Sequence, residues 1–262
     1  MYLMERTNNH IDTRPSYPMN GPNPILVLLR YGWVVLSALI LLNCSTSKTA
    51  IGHYQQEKLN DVAYGTSPRN VMDVYLPANR TDKTPFVILI HGCAWVKAGK
   101  EYVRDIQDTL LNHGIAVASI NHRYANQTDI HYPQMLADVN QAMTYCHTHA
   151  AEWHTRPDGF VLMGASSGGH LALLTAYTTP RNIRAVVDFS GPTNFTDTTL
   201  LNYADKVGLM EVVQMMTGKP YVKGTLPDPA FAQASPVTQV KPIPVLIVHE
   251  VFVTIGRKIA VW

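Results

Sequence analysis

The chain is poor in the residues that mark several common protein classes. Three cysteines, Cys44, Cys93 and Cys146, are too few for a disulfide framework. No C-x-x-C or H-E-x-x-H pattern occurs, and the 11 histidines are scattered, so no metal site and no other cofactor is expected. Lys and Arg (21) nearly balance Asp and Glu (19), and neither sign forms a block. That gives no electrostatic reason to expect nucleic acid as a partner. No uncharged apolar run reaches the roughly 20 residues of a membrane-spanning helix. What is present is a 262-residue chain, 46% hydrophobic and 15% charged. This suits one globular domain with a sizeable core. No internal repeat and no interdomain linker is visible.

Residues 1–24 are polar and rich in Asn and Pro. Arg30 then precedes twelve uncharged, largely apolar residues, Tyr31 to Leu42. A basic residue ahead of a short apolar run fits the h-region of a signal sequence. Leu41-Leu42-Asn43-Cys44 resembles a bacterial lipoprotein cleavage box, with Cys44 as the lipidation candidate and Asn43 as a departure from the usual small residue. An ordinary secretory signal and an uncleaved anchor stay open beside it. The expected organisation is a tail and signal over 1–43, a tether over 44–57, a domain over 58–250 and a tail over 251–262. Export follows from this reading, with membrane attachment through the N-terminus.

In the body, residues 62–64 and 71–75 predict a hairpin around Gly65-Thr66-Ser67-Pro68. The polar–apolar alternation of residues 70–75 predicts a half-exposed edge strand. Phe86–Ile90 and Ala116–Ile120 are continuous apolar runs, as strands buried on both faces would be. Val103, Ile106 and Leu110 fall at helical spacing ahead of Gly114. Met135, Leu136, Val139, Ala142, Met143 and Cys146 mark one face of a second helix that begins near Pro133, which places Cys146 in the core. Further strands are expected over Phe160 to Met163, Ile183–Phe189 and residues 243–249, with a helix through residues 209–216. Strands alternating with helices imply an α/β protein with a mostly parallel sheet flanked by helices.

Gly164-Ala165-Ser166-Ser167-Gly168-Gly169 stands between an apolar strand and an apolar helix. In that context G-x-S-x-G reads as a nucleophile elbow, with Ser166 as the nucleophile and Gly164 and Gly168 as the small flanks the turn requires. Upstream, Phe86–Ile90 runs into His91-Gly92-Cys93-Ala94-Trp95. Asn121-His122-Arg123, Pro133 with Asp138-Val139, Asp188-Phe189-Ser190-Gly191-Pro192 and Ser235-Pro236 follow in order. Over roughly residues 58–249 the chain resembles α/β-hydrolase esterases and lipases of the hormone-sensitive-lipase and feruloyl/acetyl-esterase type. The resemblance implies an α/β-hydrolase fold and hydrolysis of a small-molecule ester through an acyl-enzyme. It also implies an oxyanion hole from the backbone N–H groups of Gly92, Cys93 and Ser167, with His91 and Trp95 as motif support. Cys93 stands where the family has glycine; an N–H donor there needs no glycine if φ stays negative. His170, on the first turn after the elbow, is on the wrong side of the serine to be its base.

The resemblance places the triad acid and histidine after the strand ending at His249. Glu250 stands where glycine is expected, Val253 where the acid is expected, and no histidine follows His249. The pattern stops so abruptly that a frameshift or truncation is expected, with the last strand and helix of the fold lacking. No acid or base is identifiable. An impaired esterase is the first expectation, and a non-catalytic binding module or a non-functional fragment the alternatives.

Overall fold

A computed structural model describes residues 54–249. The signal and lipidation readings, including Cys44, and the readings of Glu250 and Val253 lie outside these residues.

Seven strands form one sheet: β1 (Glu57–Ala63), β2 (Val71–Leu76), β3 (Phe86–Ile90), β4 (Ala116–Ile120), β5 (Phe160–Ala165), β6 (Ile183–Phe189) and β7 (Val245–Val248). Their order is β1-β2-β4-β3-β5-β6-β7. β1 and β2 pair antiparallel, as do β2 and β4; every other pair is parallel. Helices α1 (Arg104–Asn112), α2 (Tyr132–Trp153), α3 (Ser167–Thr178), α4 (Thr198–Lys206), α5 (Met210–Thr217) and the short α6 (Pro229–Gln233) connect them. This is the mostly parallel sheet flanked by helices that the alternation implied. β1 begins at Glu57, so the last residue read as tether already belongs to the sheet.

The two periods of the sequence set the layers. Along β3, Phe86, Ile88 and Ile90 pack with α2 and α3 in the larger core, while Val87 and Leu89 face the smaller core that contains Leu111 of α1. All five are buried, because helices cover both faces of a parallel sheet. Cys146 is fully buried on α2. Among the described residues β7 ends the sheet on its side, and Leu246, Ile247 and Val248 are exposed.

Strand β2 departs from the half-exposed edge that its alternation suggested. It lies between β1 and β4, and five of its six residues are buried. The polar residues are not solvent-facing; they are paired. Asp73 accepts an ion-paired hydrogen bond from Lys100 Nζ at 2.8 Å, and both side chains are almost completely buried. Lys100 also reaches Asp61 (3.0 Å) and Glu101 (3.3 Å), which are open to solvent. A second ion pair, between part-exposed Arg123 and buried Asp138, joins the segment after β4 to α2: Arg123 Nη2 lies 2.8 Å from Asp138 Oδ1, and Arg123 N–H donates to Asp138 Oδ2. This pair gives Asn121-His122-Arg123 and Asp138-Val139 a common structural cause.

Removing one partner of a buried pair leaves the other charge dry and unpaired, which costs about 3–5 kcal/mol. Lys100→Met is therefore expected to lower the unfolding free energy by about 3 kcal/mol in urea titration. A loss below about 1 kcal/mol would show that Asp73 finds solvent or another partner.

Candidate active site

The site begins with a turn. Ser166 joins β5 to α3 with φ 52° and ψ −119°, a region that side-chain-bearing residues avoid. Such strain persists only when the surroundings over-determine it. Here both backbone groups are held: Ser166 N–H donates to the Phe189 carbonyl at 2.7 Å, and its own carbonyl accepts from His170 N–H at 3.1 Å. Gly168 passes so close to the end of β3 that a Cβ would strike the carbonyl oxygens of Ile90 and His91, and a Cβ on Gly164 would strike the Gly168 carbonyl. These contacts explain why the elbow is glycine-flanked. A Cβ on Gly92 would sit 2.7 Å from the Ala165 carbonyl oxygen and 3.3 Å from Ser166 Cβ, so the loop after β3 abuts the serine.

That loop is itself strained. Cys93, Ala94 and Trp95 have φ of 78°, 55° and 65°. The negative φ that would let a residue other than glycine sit here without strain is therefore not what the fold uses: the loop turns through the left-handed region, closed by Val96 N–H on the Cys93 carbonyl at 3.4 Å. Each such residue costs roughly 1–2 kcal/mol without glycine. Compensation comes from Trp95. Its indole N–H donates to His170 Nδ1 at 3.1 Å, its carbonyl accepts from Ala125 N–H at 3.0 Å, and its ring packs edge-on against His170 and Phe195. Because His170 Nδ1 accepts, Nε2 carries the proton, which it donates to the Ala234 carbonyl at 2.8 Å. Both nitrogens of His170 are thus occupied in the scaffold, and burial pushes it down to about 4 against the opposing bond to Ala234. It is a strut, in line with its exclusion as the base.

A second pair of imidazoles lies behind the loop. His91 and His122 are both fully buried and stack with ring centroids 4.6 Å apart and planes 11° from parallel. Nδ1 of His91 donates to the Gly92 carbonyl at 2.9 Å, and Nδ1 of His122 to the Arg123 carbonyl at 2.7 Å. Burial, then the neighbouring His122, holds His91 down at about 3; burial likewise holds His122 at about 4. His91 was legible as part of a motif. Its pairing with His122 was not, because nothing in sequence marks two rings on separate strands as stacked.

Ser166, Ser167 and Cys93 line a cavity of about 440 Å³. Its walls are largely apolar and include Trp95, Phe195, Leu201, Leu209 and Val213; Lys97 is the one charged side chain in the lining. Helix α4, which sequence patterning did not single out, supplies Leu200, Leu201, Tyr203 and Ala204. Its moderate amphipathicity in a nine-residue span was the available signal. Among the described residues no hydrogen bond partner is found for Ser166 Oγ or for the N–H groups of Gly92 and Cys93.

Three buried neutral histidines make stability depend on pH in one direction. His91, His122 and His170 all titrate lower in the folded chain than the ordinary 6.5. The unfolded chain therefore takes up protons first, so this stability is complete above pH 6.5 and is lost as pH falls towards about 4. His122→Phe keeps the stacked volume and removes one of these groups. Urea midpoints between pH 6.5 and 4.5 are expected to fall less steeply in the variant than in the parent. Equal slopes would show that His122 is not held neutral.

Comparisons with known proteins agree with this geometry. A BD-FAE family model matches residues 72–251. A probable isoprenylcysteine alpha-carbonyl methylesterase of Arabidopsis thaliana is 35% identical over 114 residues, which is 44% of this chain and 24% of that protein. The probable carboxylic ester hydrolase LipM of Mycobacterium tuberculosis is 27% identical over 196 residues, 69% of this chain and 44% of its own length. The chain thus spans less than half the length of these curated relatives. Among solved structures, a truncated carbohydrate esterase from gut microbiota superposes with a TM-score of 0.61 at 23% identity, covering 75% of this chain and 77% of that one. Esterase B of Lactobacillus rhamnosis in its inhibited form gives 0.61 at 19% identity, covering 86% and 75%. With the fold, the elbow and the family match in agreement, the chain belongs to the BD-FAE family of α/β hydrolases.

Proposed function

We propose that this chain carries the nucleophile and oxyanion hole of a serine esterase, and that its substrate is an ester with a bulky apolar group. The observation that carries the proposal is the strained Ser166 turn opening into an apolar cavity beside unengaged backbone N–H groups. Ser166 Oγ attacks the ester carbonyl, the alkoxy group leaves, and water later releases the acid from the acyl-enzyme. The developing oxyanion is met by N–H groups of Gly92, Cys93 and Ser167, donors already fixed in place before reaction. The cavity walls favour an aryl or medium-chain aliphatic group over a sugar, because sugar hydroxyls would lose water there without gaining partners. One group of relatives is named for an isoprenylcysteine ester, whose isoprenyl part is apolar.

A base must still take the Oγ proton, and no described residue hydrogen-bonds Oγ. This reading therefore leaves the acid and histidine to residues outside 54–249. Without such a base, turnover is expected to be roughly a thousandfold or more below that of a complete triad. The same observation favours a second reading, a binding module that keeps the cavity without the chemistry.

Hydrolysis of p-nitrophenyl acetate, butyrate and octanoate, beside a Ser166→Ala variant, decides between them. The expected result is slow, Ser166-dependent acylation, at least threefold faster for octanoate than for acetate. Rapid Ser166-dependent turnover would sink the claim that the base lies elsewhere. Equal acylation of parent and variant would sink Ser166 as the nucleophile and leave the binding module. Export with an N-terminal membrane anchor is part of the same proposal and rests on the apolar run before Cys44. Labelled palmitate should enter the exported chain and be lost in Cys44→Ser; labelling that survives the substitution would exclude that anchor.

A further inference from the structure

His91 and His122 are buried titratable groups for which the acyl chemistry has no direct use. Each has one nitrogen engaged and one idle: Nε2 of both rings is buried with no partner among the described residues. An idle buried acceptor is a cost, and a leucine or phenylalanine would fill similar space without it. The imidazole at position 91 therefore needs a reason, and the reason lies at its other nitrogen.

The Gly92 carbonyl can only accept, so the bond at 2.9 Å requires the proton to sit on His91 Nδ1. With the proton on Nε2 instead, a ring lone pair would face the carbonyl oxygen. No peptide bond in the described chain is cis. Across a trans peptide the carbonyl and the following N–H point in opposite directions. A Gly92 carbonyl held against the His91 ring thus turns the Cys93 N–H away from the ring. Cys93 lines the same cavity as Ser166.

This peptide needs holding. Cys93 sits at φ 78°, and rotation of the Gly92–Cys93 peptide plane would return it to the relaxed negative region. Such a flip would exchange the N–H for the carbonyl oxygen and place a lone pair where the oxyanion should be met by a donor. The His91 ring is in turn fixed by stacking on His122, whose own Nδ1–H is spent on the Arg123 carbonyl. Arg123 is locked to the buried Asp138. The chain of contacts runs from α2 through the end of β4 to the loop after β3.

We propose that His91 is a positioning residue: its Nδ1–H holds the Gly92 carbonyl so that the Cys93 N–H is presented to the oxyanion, with His122 fixing the ring. This inference rests on the reading of Ser166 as nucleophile.

The test uses the full chain with His91→Leu, which removes the donor, and His91→Asn, whose side-chain amide can donate to the same carbonyl. Ser166→Ala is the control, and thermal melting checks folding. The probe is a p-nitrophenyl alkylphosphonate: Ser166 Oγ bonds to phosphorus, p-nitrophenolate leaves, and the serine proton passes to solvent. His91→Leu should lower the limiting rate at least tenfold while the half-saturating concentration moves less than twofold. His91→Asn should recover to within threefold of the parent. A scaffold role alone would not give this split or this rescue. An unchanged limiting rate in His91→Leu, or an Asn variant as slow as the Leu variant, overturns the inference alone. A parent no faster than Ser166→Ala overturns the reading of Ser166 and the inference with it. If His91→Leu does not fold, ¹⁵N spectra of the parent decide: a proton on His91 Nδ1 supports the inference, and a proton on Nε2 overturns it.

Discussion

Helix α3 leaves β5 so sharply that its first turn lies against the carbonyl ends of β3 and β5. That close approach is the constraint on which the site depends. It forces Ser166 into a strained conformation, excludes side chains at Gly164 and Gly168, and brings the loop after β3 within contact of the serine. A side chain at the apex of so tight a turn is presented by the turn itself. The seven strands matter to function mainly because they hold this crossing still.

Strain in one place is matched by restraint nearby. The loop Cys93–Ala94–Trp95 adopts three left-handed residues in succession, none of them glycine. Trp95 is tied to His170 and through it to Ala234, while His91 is tied to Gly92 and stacked on His122. Each of these imidazoles is neutral because burial disfavours its charge, and each therefore has a defined tautomer set by its neighbour. Neutral, dry and fully oriented groups suit a site that must present backbone dipoles without rearranging. The cost is a scaffold sensitive to acid.

Apolar runs over β3 and β4 were legible because burial on both faces leaves no alternation to misread. The elbow was legible because its glycines answer to backbone contacts only a few residues away or at the neighbouring strand end. Strand β2 was misread because Asp73 looks solvent-facing until Lys100 is brought beside it by the fold. Helix α4 went unrecognised because its amphipathic pattern runs for only nine residues, shorter than the stretch over which helical periodicity stands out. At Cys93 the residue type left φ open; the contacts of Trp95 and His91 hold the loop in the left-handed region.

By itself the sequence determined the α/β class, the place of Ser166 at a strand-to-helix turn, and the presence of a second glycine-bearing loop before it. Those properties are written in local periodicity and in residues whose reason is local. Only the tertiary structure decided that the cavity is apolar, that His170 is a strut, and that His91 and His122 stand as a stacked pair behind the loop after β3. These depend on which side chains meet across strands far apart in the chain, and hydrogen-bond direction and burial exist only once they have met.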